Sequence, residues 1–427
     1  MELQTAKGVR DIPPEEKALK NQVVQTIQQV FQLYGFQPLE TPILERYETL
    51  TAKFAAGEAS DALKETFKLK DQGGRDLGLR FDLTVPLARY ITMNPMLKLP
   101  FKRYEMGPVF RDGPIKLGRY REFWQCDADI IGASSLLAEA ELLALAQTVF
   151  NKLQLDVIIK VNNRKILNGL LEQAGITQKE SAIIALDKLD KIGKEGVQKE
   201  LLERGYQKKQ IDAVLSLVSQ STSLPQLKKK LTSEEAQQGL REIEELFSYL
   251  AAMGAKKVVF DISLARGLAY YTGTIYEAYL RKGPITSSLA AGGRWDAMIG
   301  KFLGGGREIP AVGVAFGLEP IMDTLRLQKK EAPASMALFV IPINTATESL
   351  KIVQQFREAG IPASLALKKS LSKNLEYASA LGVSYSVIIG EDELKKKKVL
   401  LRDMKIGKEQ LLSVKRVIAL CKKKPLK

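Results

Sequence analysis

Histidine does not occur in this chain of 427 residues. Its absence removes imidazole general bases, Ser-His triads and His-ligated metals from the chemistry available. Cysteine is scarce as well: Cys126 and Cys421 stand far apart, which excludes a disulfide framework and a cysteine-rich zinc site. No apolar run reaches the length of a membrane helix, and the opening MELQTAKGVRDIPPEEK lacks an apolar h-region. Cytoplasmic residence and no membrane partner are therefore expected. Chemistry is left to carboxylates, arginines, tyrosines and any metal that a substrate carries in.

Positive charge is abundant. Lys and Arg number 64 against 49 Asp and Glu, a formal net charge of +15, which suits a polyanionic partner through counterion release. Lysine also serves as an ordinary solubilising residue, so charge alone does not single out nucleic acid. Apolar content of 45% with 26% charged residues is that of a soluble globular protein. The length predicts two or three domains.

Periodicity predicts an amphipathic helix over Glu15–Leu33, with Val23, Ile27, Val30 and Phe31 on one face. FQPLETPILE follows, and its Pro38 and Pro42 favour an extended edge segment over a central strand. Leu136–Leu153 reads as a helix and Asp156–Val161 as a buried strand. From Arg164 to Met253 the composition turns to lysine and glutamate with helical periodicity, an inserted helical subdomain at about 164–254. Strands resume at Lys257–Ile262, Thr272–Tyr279 and Ser287–Ala291, followed by Gly-rich turns at Gly292-Gly293 and Gly304-Gly305-Gly306. QKKEAPAS, near 328–335, marks a boundary between a domain at 1–328 and another at 336–427. Beyond it, strands Ala337–Ile341, Ile361–Ala366 and Ser384–Ile389 alternate with helices Thr345–Glu358 and Leu371–Leu381. A strand near Val399–Arg402 and a helix Glu409–Cys421 complete a small α/β unit with a largely parallel sheet.

The densest chemistry lies between Gly78 and Gly132. There Arg80, Arg89, Arg103, Arg111, Arg119 and Arg121 crowd around Asp82, Asp112, Asp127 and Asp129. Guanidinium forks beside carboxylates suit a ligand with phosphate at one end and an amine at the other. Strand-like runs Phe101–Phe110 and Arg121–Ile131 flank the loop DGPIKLG and put the arginines on a hairpin. A polar surface strand pair would give the same pattern.

Several motifs in order resemble the histidyl-tRNA synthetase family, a class II aminoacyl-tRNA synthetase family, along essentially the whole chain. AKGVRDIPPEE is similar to the family's opening, YGFQPLETPILE to the first class motif, and FKRYEMGPVFRDGPIKLGRYREFWQCDADI to the second. RGLAYYTGTIYE and AAGGRWD resemble the two histidine-specific motifs, AVGVAFGLE the third class motif, and DLT in RFDLTVPLARY the archaeal and eukaryotic branch. The resemblance implies an α+β fold: an antiparallel catalytic sheet with a helical insertion, then a C-terminal anticodon-binding α/β domain. It implies a homodimer, tRNA(His) as the polyanion in place of DNA, and L-histidine and ATP as substrates. Mg²⁺ would arrive with ATP, with no dedicated metal site and no permanently bound cofactor.

On that resemblance the catalytic cations are Arg111 and Arg266. Asp82, Leu83 and Thr84 of DLT, with Gln125, match positions around the histidine α-amino group. Asp129 matches the acceptor of the imidazole N–H, and Tyr270 and Tyr271 supply a hydroxyl and packing, one of them expected to point to the other face of a strand. Arg111 and Arg266 also border the histidine. Phe123 matches the residue stacked on adenine, Arg119 and Tyr120 the loop end that touches ATP, and Asp112 and Glu319 complete the ATP set. Trp124 is expected to face the core.

Four positions depart from the family pattern. The third class motif ordinarily ends Glu-Arg, and here reads Glu319-Pro320; Arg294, Lys301, Arg307 and Arg326 are the nearby cations. Gly113 stands where an acid is usual, with Asp112 adjacent; Ala269 replaces an Asp and Trp295 a Tyr. A histidine-sensing regulatory paralogue of the ATP phosphoribosyltransferase type and a tRNA-binding pseudo-synthetase are the competing readings. Residues 336–427 oppose the first, and Pro320 favours the second.

Overall fold

The computed structural model describes residues 3–52, 65–218, 223–267, 270–305, 308–330, 338–368 and 370–423. Two compact units form: Met1–Asp11 with Val23–Lys329, and Ile12–Gln22 with Lys330–Lys427. The fold is α+β, with a large antiparallel-rich sheet in the first unit.

The hairpin predicted from the arginine-rich stretch forms the second and third strands of that sheet. Strands Phe101–Phe110 and Glu122–Ile131 pair antiparallel from Phe101↔Ile131 to Phe110↔Glu122. Among the described residues the sheet has eight strands. In order these are Gln37–Pro38, Phe101–Phe110, Glu122–Ile131, Ala311–Gly317, Ala290–Arg294, Thr274–Leu280, Val157–Asn163 and Val258–Phe260. Gln37–Pro38 lies at the edge, parallel to Arg103–Tyr104, where a residue without an N–H is tolerated. The pairing of Val157–Asn163 with Val258–Phe260 is parallel too.

Side chains alternate between the faces of the sheet. On one face Phe31, from helix Pro14–Leu33, sits 5.5 Å from the Tyr104 ring and 5.9 Å from Phe316. Phe150 of helix Leu137–Lys152 closes on Phe316 at 5.5 Å. These buried aromatics contribute roughly 2 kcal/mol each through area removed from water. Cys126 and Ala128 of the hairpin are buried on the same side.

The opposite face carries polar and small residues in register. One row runs Glu105, Asp127, Ala315, Ala291, Glu277; the next runs Arg103, Asp129, Gly313, Gly293, Ile275. Gly292-Gly293, expected as a turn, is instead inside strand Ala290–Arg294. The strand starts three residues later than its apolar pattern suggested. Small residues here thin the middle of the sheet and leave a depression between polar flanks.

Two further elements border that depression. A small antiparallel sheet of Leu44–Arg46, Asp76–Leu79 and Lys68–Lys70 delivers Arg80 to Asp82 beside the hairpin. The helical insertion holds six helices among the described residues, from Arg164–Gln173 to Glu234–Ala252. Asn163 caps its first helix by accepting from the Lys165 N–H, and Ser233 caps its last by accepting from Ala236. Among the described residues no helix is long and apolar enough to cross a membrane.

In the second unit the strand order is Ala363–Leu365, Leu338–Pro342, Tyr385–Ile389, Val399–Asp403, Glu409–Leu412. The first two pairings are parallel and the last two antiparallel, so the sheet is mixed and not largely parallel. The helix expected over Glu409–Cys421 is a hairpin strand Glu409–Leu412 followed by helix Val414–Lys423. The Asp403 N–H donates to the Lys408 carbonyl and the Gly407 N–H to the Asp403 carbonyl, closing the turn, and pairing with Val399–Asp403 decides the conformation of EQLL. Leu338, Val340, Phe356, Val387 and Val417 fill one side of this sheet, and Phe339, Ile341, Ala378 and Ile388 the other.

Candidate active site

A cavity of about 360 Å³ opens over the small-residue floor. Gly313, Ala315, Gly317, Ala291 and Gly293 form its base. Asp82, Thr84, Arg111, Arg119, Tyr120, Phe123, Gln125, Asp129, Arg266, Tyr270 and Tyr271 all line it. Residues separated by more than two hundred positions in sequence thus meet in one place.

The hairpin supplies an ordered series. Phe123, Gln125, Asp127 and Asp129 point to the cavity by the period of two. Phe123 and Arg111 lie toward the hairpin loop and Asp129 toward the other end. Arg111 is held over the Phe123 ring at 5.1 Å, and its Nε donates to the Phe81 carbonyl at 2.9 Å. Burial lowers the Arg111 pKa, countered by Asp82 and assisted by Arg119.

The acidic end is held from behind by buried arginines. Arg103 is fully buried, 3.0 Å from Asp129 and 3.6 Å from Glu105. Arg80 pairs with Glu105 at 2.8 Å, and Thr41 donates to the same carboxylate through its N–H and hydroxyl. These cations do not line the cavity; they allow carboxylates to exist beneath it. Burial, then Asp129, raises the Asp127 pKa well above the carboxylate range. Burial also raises Asp129, to about 6, against the pull of Arg103, while the Trp295 side chain hydrogen-bonds it. Among the described residues Gln125 Oε1 and Asp127 Oδ1 are buried acceptors without a hydrogen-bond partner. Both residues line the cavity, and such groups call for donors from a ligand.

Across the floor, Arg266 Nη1 pairs with Glu277 at 2.8 Å and its guanidinium lies 5.3 Å from the Tyr271 ring. Burial lowers its pKa, but Tyr271 and Glu277 outweigh burial and the net shift is upward. The rings of Tyr270 and Tyr271 stack at 4.5 Å, and the Tyr270 hydroxyl donates to that of Tyr271 at 3.4 Å. Both line the cavity, where one had been expected to turn away. The strand begins only at Thr274, so alternation does not govern the pair. Burial and Asp82 push the Tyr270 hydroxyl up to about 12.

Three residues of the expected set lie outside the lining. The Leu83 side chain is fully buried and its carbonyl accepts from Arg103. Asp112 pairs with Arg121 at 2.9 Å, and the buried Glu319 accepts from the Trp124 N–H at 2.8 Å. Trp124 itself is half-buried, not core. Of the cations considered for the place of Pro320, Arg294 is bound to Glu139 by two hydrogen bonds of 2.6 and 2.7 Å, and Arg326 pairs with Asp323. Neither these nor Lys301 line the cavity, whereas Pro320 does. Arg307 and Ala269 lie outside the described residues.

Asp127, Glu277, Ser287 and Ser288 also line the site and were given no role from sequence. Asp127 was recoverable by counting two back from Asp129. Glu277 depends on a register across three strands that no local pattern reveals. The loop is pinned from outside: Gly118 N–H donates to Asp323 at 2.9 Å, and Arg10 lies 5.0 Å from the Tyr120 ring.

An antiparallel-rich sheet bearing arginines at its hairpin loop and a polar cavity over glycines defines the catalytic fold of a class II aminoacyl-tRNA synthetase. Residues 8–321 match the histidyl-tRNA synthetase family and residues 337–424 the anticodon binding domain. A Bacillus cereus histidine–tRNA ligase 1 is 44% identical over 96% of this chain and 95% of its own length. A Bacteroides fragilis histidine–tRNA ligase is 38% identical over 96% and 97%. The crystal structure of histidyl-tRNA synthetase from Nostoc sp. PCC 7120 superposes with a TM-score of 0.85 at 32% identity, covering 99% of each chain. The chain belongs to the histidyl-tRNA synthetase family. These organisms are bacteria, whereas the DLT segment resembles the archaeal and eukaryotic branch.

Proposed function

We propose that this chain is a histidine–tRNA ligase that activates L-histidine with ATP and transfers it to the 3′ end of tRNA(His). The observation that carries the reading is one cavity with unpaired acid and amide acceptors at one end and Arg111 and Arg119 at the other. In it, Asp82, Thr84 and Gln125 receive the histidine ammonium. Asp129 accepts from the imidazole N–H, and Tyr270 and Tyr271 enclose the ring. A site built of buried acceptors rejects isosteres that leave them unpaired. Asp127 Oδ1, buried and without a hydrogen-bond partner, adds an acceptor beneath the ammonium.

Attack of the histidine carboxylate on the α-phosphate brings two anions together. Arg111 and Arg266 stabilise that charge, Arg266 being oriented by Glu277. Phe123 stacks on adenine, and Arg119 and Tyr120 hold the phosphates. Leu83, Asp112 and Glu319 act through neighbours: Leu83 through Arg103, Asp112 through Arg121, Glu319 through the Trp124 backbone. ATP enters as its Mg²⁺ complex, in which phosphate oxygens provide much of the metal's coordination. The protein acts as a cytoplasmic homodimer and binds tRNA(His) through residues 336–427 as well as the domain at 1–328. The matched anticodon binding domain goes against a histidine-sensing regulatory paralogue.

Histidine-dependent ATP–pyrophosphate exchange tests the reading. Arg266→Ala should reduce exchange by roughly 10²–10³-fold while circular dichroism and Tm stay near wild type. Exchange at the wild-type rate by that variant refutes the role of Arg266. A wild-type protein that binds tRNA but shows no exchange is a pseudo-synthetase.

A further inference from the structure

The loop of the second motif carries Gly113 where a side-chain carboxylate is the family's habit, and the structure fills that space from elsewhere. A side chain at position 113 would begin 2.6 Å from Glu65 Oε1 and 2.9 Å from Glu65 Oε2. Glu65 belongs to the segment that leads into strand Lys68–Lys70, far from the loop in sequence. Its carbonyl accepts from the Asp112 N–H at 2.7 Å, which locks the two segments together. Its carboxylate receives Arg119 Nη2 on both oxygens, at 3.0 and 3.2 Å. Asp112, the neighbouring acid, is turned to Arg121.

We infer that Glu65 is the positioning residue of the nucleotide site, doing from an upstream segment what a carboxylate at position 113 would otherwise do. Glu65 does not line the cavity, whereas Arg119 does; Glu65 acts through Arg119. The Glu65 side chain is the more sheltered of the pair, 17% exposed against 43% for Arg119. A guanidinium that exposed has many rotamers, and a fixed carboxylate behind it selects the one that faces the phosphates. The carboxylate also lowers the repulsion between Arg111 and Arg119, which stand close enough to perturb each other. With proline at position 320, this chain depends more heavily on those two arginines being held in place. Glycine at 113 is then the complement of Glu65: any larger residue would collide with its carboxylate.

The inference rests on the ATP-site reading, so exchange by the unmodified chain is measured first; its absence refutes that reading and not the role of Glu65. Given exchange, Glu65→Ala should raise the KM for ATP about 10-fold and leave the KM for histidine within about 2-fold. Glu65→Gln keeps the volume without the charge and should behave like the alanine variant. Gly113→Glu alone should impair ATP use through collision with Glu65. The double variant Glu65→Ala/Gly113→Glu should return the KM for ATP to within about 3-fold of wild type, a coupling that a double-mutant cycle reads directly. An unchanged KM for ATP in both Glu65 variants overturns the inference, as does an equal rise for histidine. A double variant no better than Glu65→Ala overturns the exchange of positions between 65 and 113.

Discussion

Asp129 is 3% exposed and close to Asp127, Asp82 and Glu105, with Arg103 as the cation beside it. Its pKa of about 6 exceeds the value of about 3.9 that an unfolded aspartate has. As pH falls from 7 to 5, the native state takes up a proton that the unfolded chain does not yet take. This residue therefore adds stability on acidification between about pH 6 and pH 4, and above pH 6 it costs on the order of 3 kcal/mol. Its proposed role has the opposite sign, since the ionised form is the stronger acceptor for an imidazole N–H. Because the chain has no histidine, no imidazole of its own confuses the experiment. Thermal unfolding at pH 7.5 and 5.5 should show Asp129→Asn losing the acid-side gain of about 1–2 °C that wild type has, while its KM for histidine rises about 10-fold or more at pH 7.5. An identical Tm difference between the two pH values in both proteins would show that Asp129 does not titrate there.

At the scale of elements, the floor strand Ala311–Gly317 explains why the cavity exists. A Cβ on Gly313 would stand 1.8 Å from Asp129 Oδ1, whereas one on Gly317 would meet Pro320 Cγ at 3.1 Å. Gly313→Ala should therefore displace the Asp129 carboxylate, raise the KM for histidine at least about 10-fold and cost about 1–3 kcal/mol by overpacking. Gly317→Ala should be milder, with its effect on ATP. Exchange kinetics with each substrate varied in turn check this, and equal effects of Gly313→Ala on both substrates count against the placement. The hairpin itself was legible because each strand announces itself in ten consecutive residues. Its face was legible too, since alternation from Phe123 to Asp129 needs no partner. The register that adds Glu277 and the glycines was not, because it is fixed by hydrogen bonds between segments separated by up to about 190 residues. Short segments misled for the same reason. EQLL in Glu409–Leu412 has no strong preference of its own, and its partner Val399–Asp403 settles it as strand. The tyrosine pair was misjudged by extending strand geometry to residues three and four positions before the strand begins at Thr274.

Across the whole molecule, composition and activity meet. These 427 residues contain no histidine, so their synthesis draws on no charged tRNA(His), the product that a histidine–tRNA ligase makes. Ribosomes translating these residues meet no histidine codon at which to stall, which predicts that their synthesis is insulated from the shortage that failure of the enzyme would cause. The proposed site is consistent with this composition: activation is assigned to Arg111 and Arg266, and ligand recognition to carboxylates, an amide and tyrosines. In a histidine auxotroph starved of histidine, output of this chain should fall less than that of a version carrying Lys229→His and Lys230→His. Both lysines are exposed and lie at the end of helix Leu224–Lys230, so the change should not alter the fold. Ribosome occupancy along the two messages is the measurement. Pausing confined to the introduced codons, with higher yield from the histidine-free message, is the expected result; equal decline of both would mean that the absence of histidine gives no advantage in synthesis.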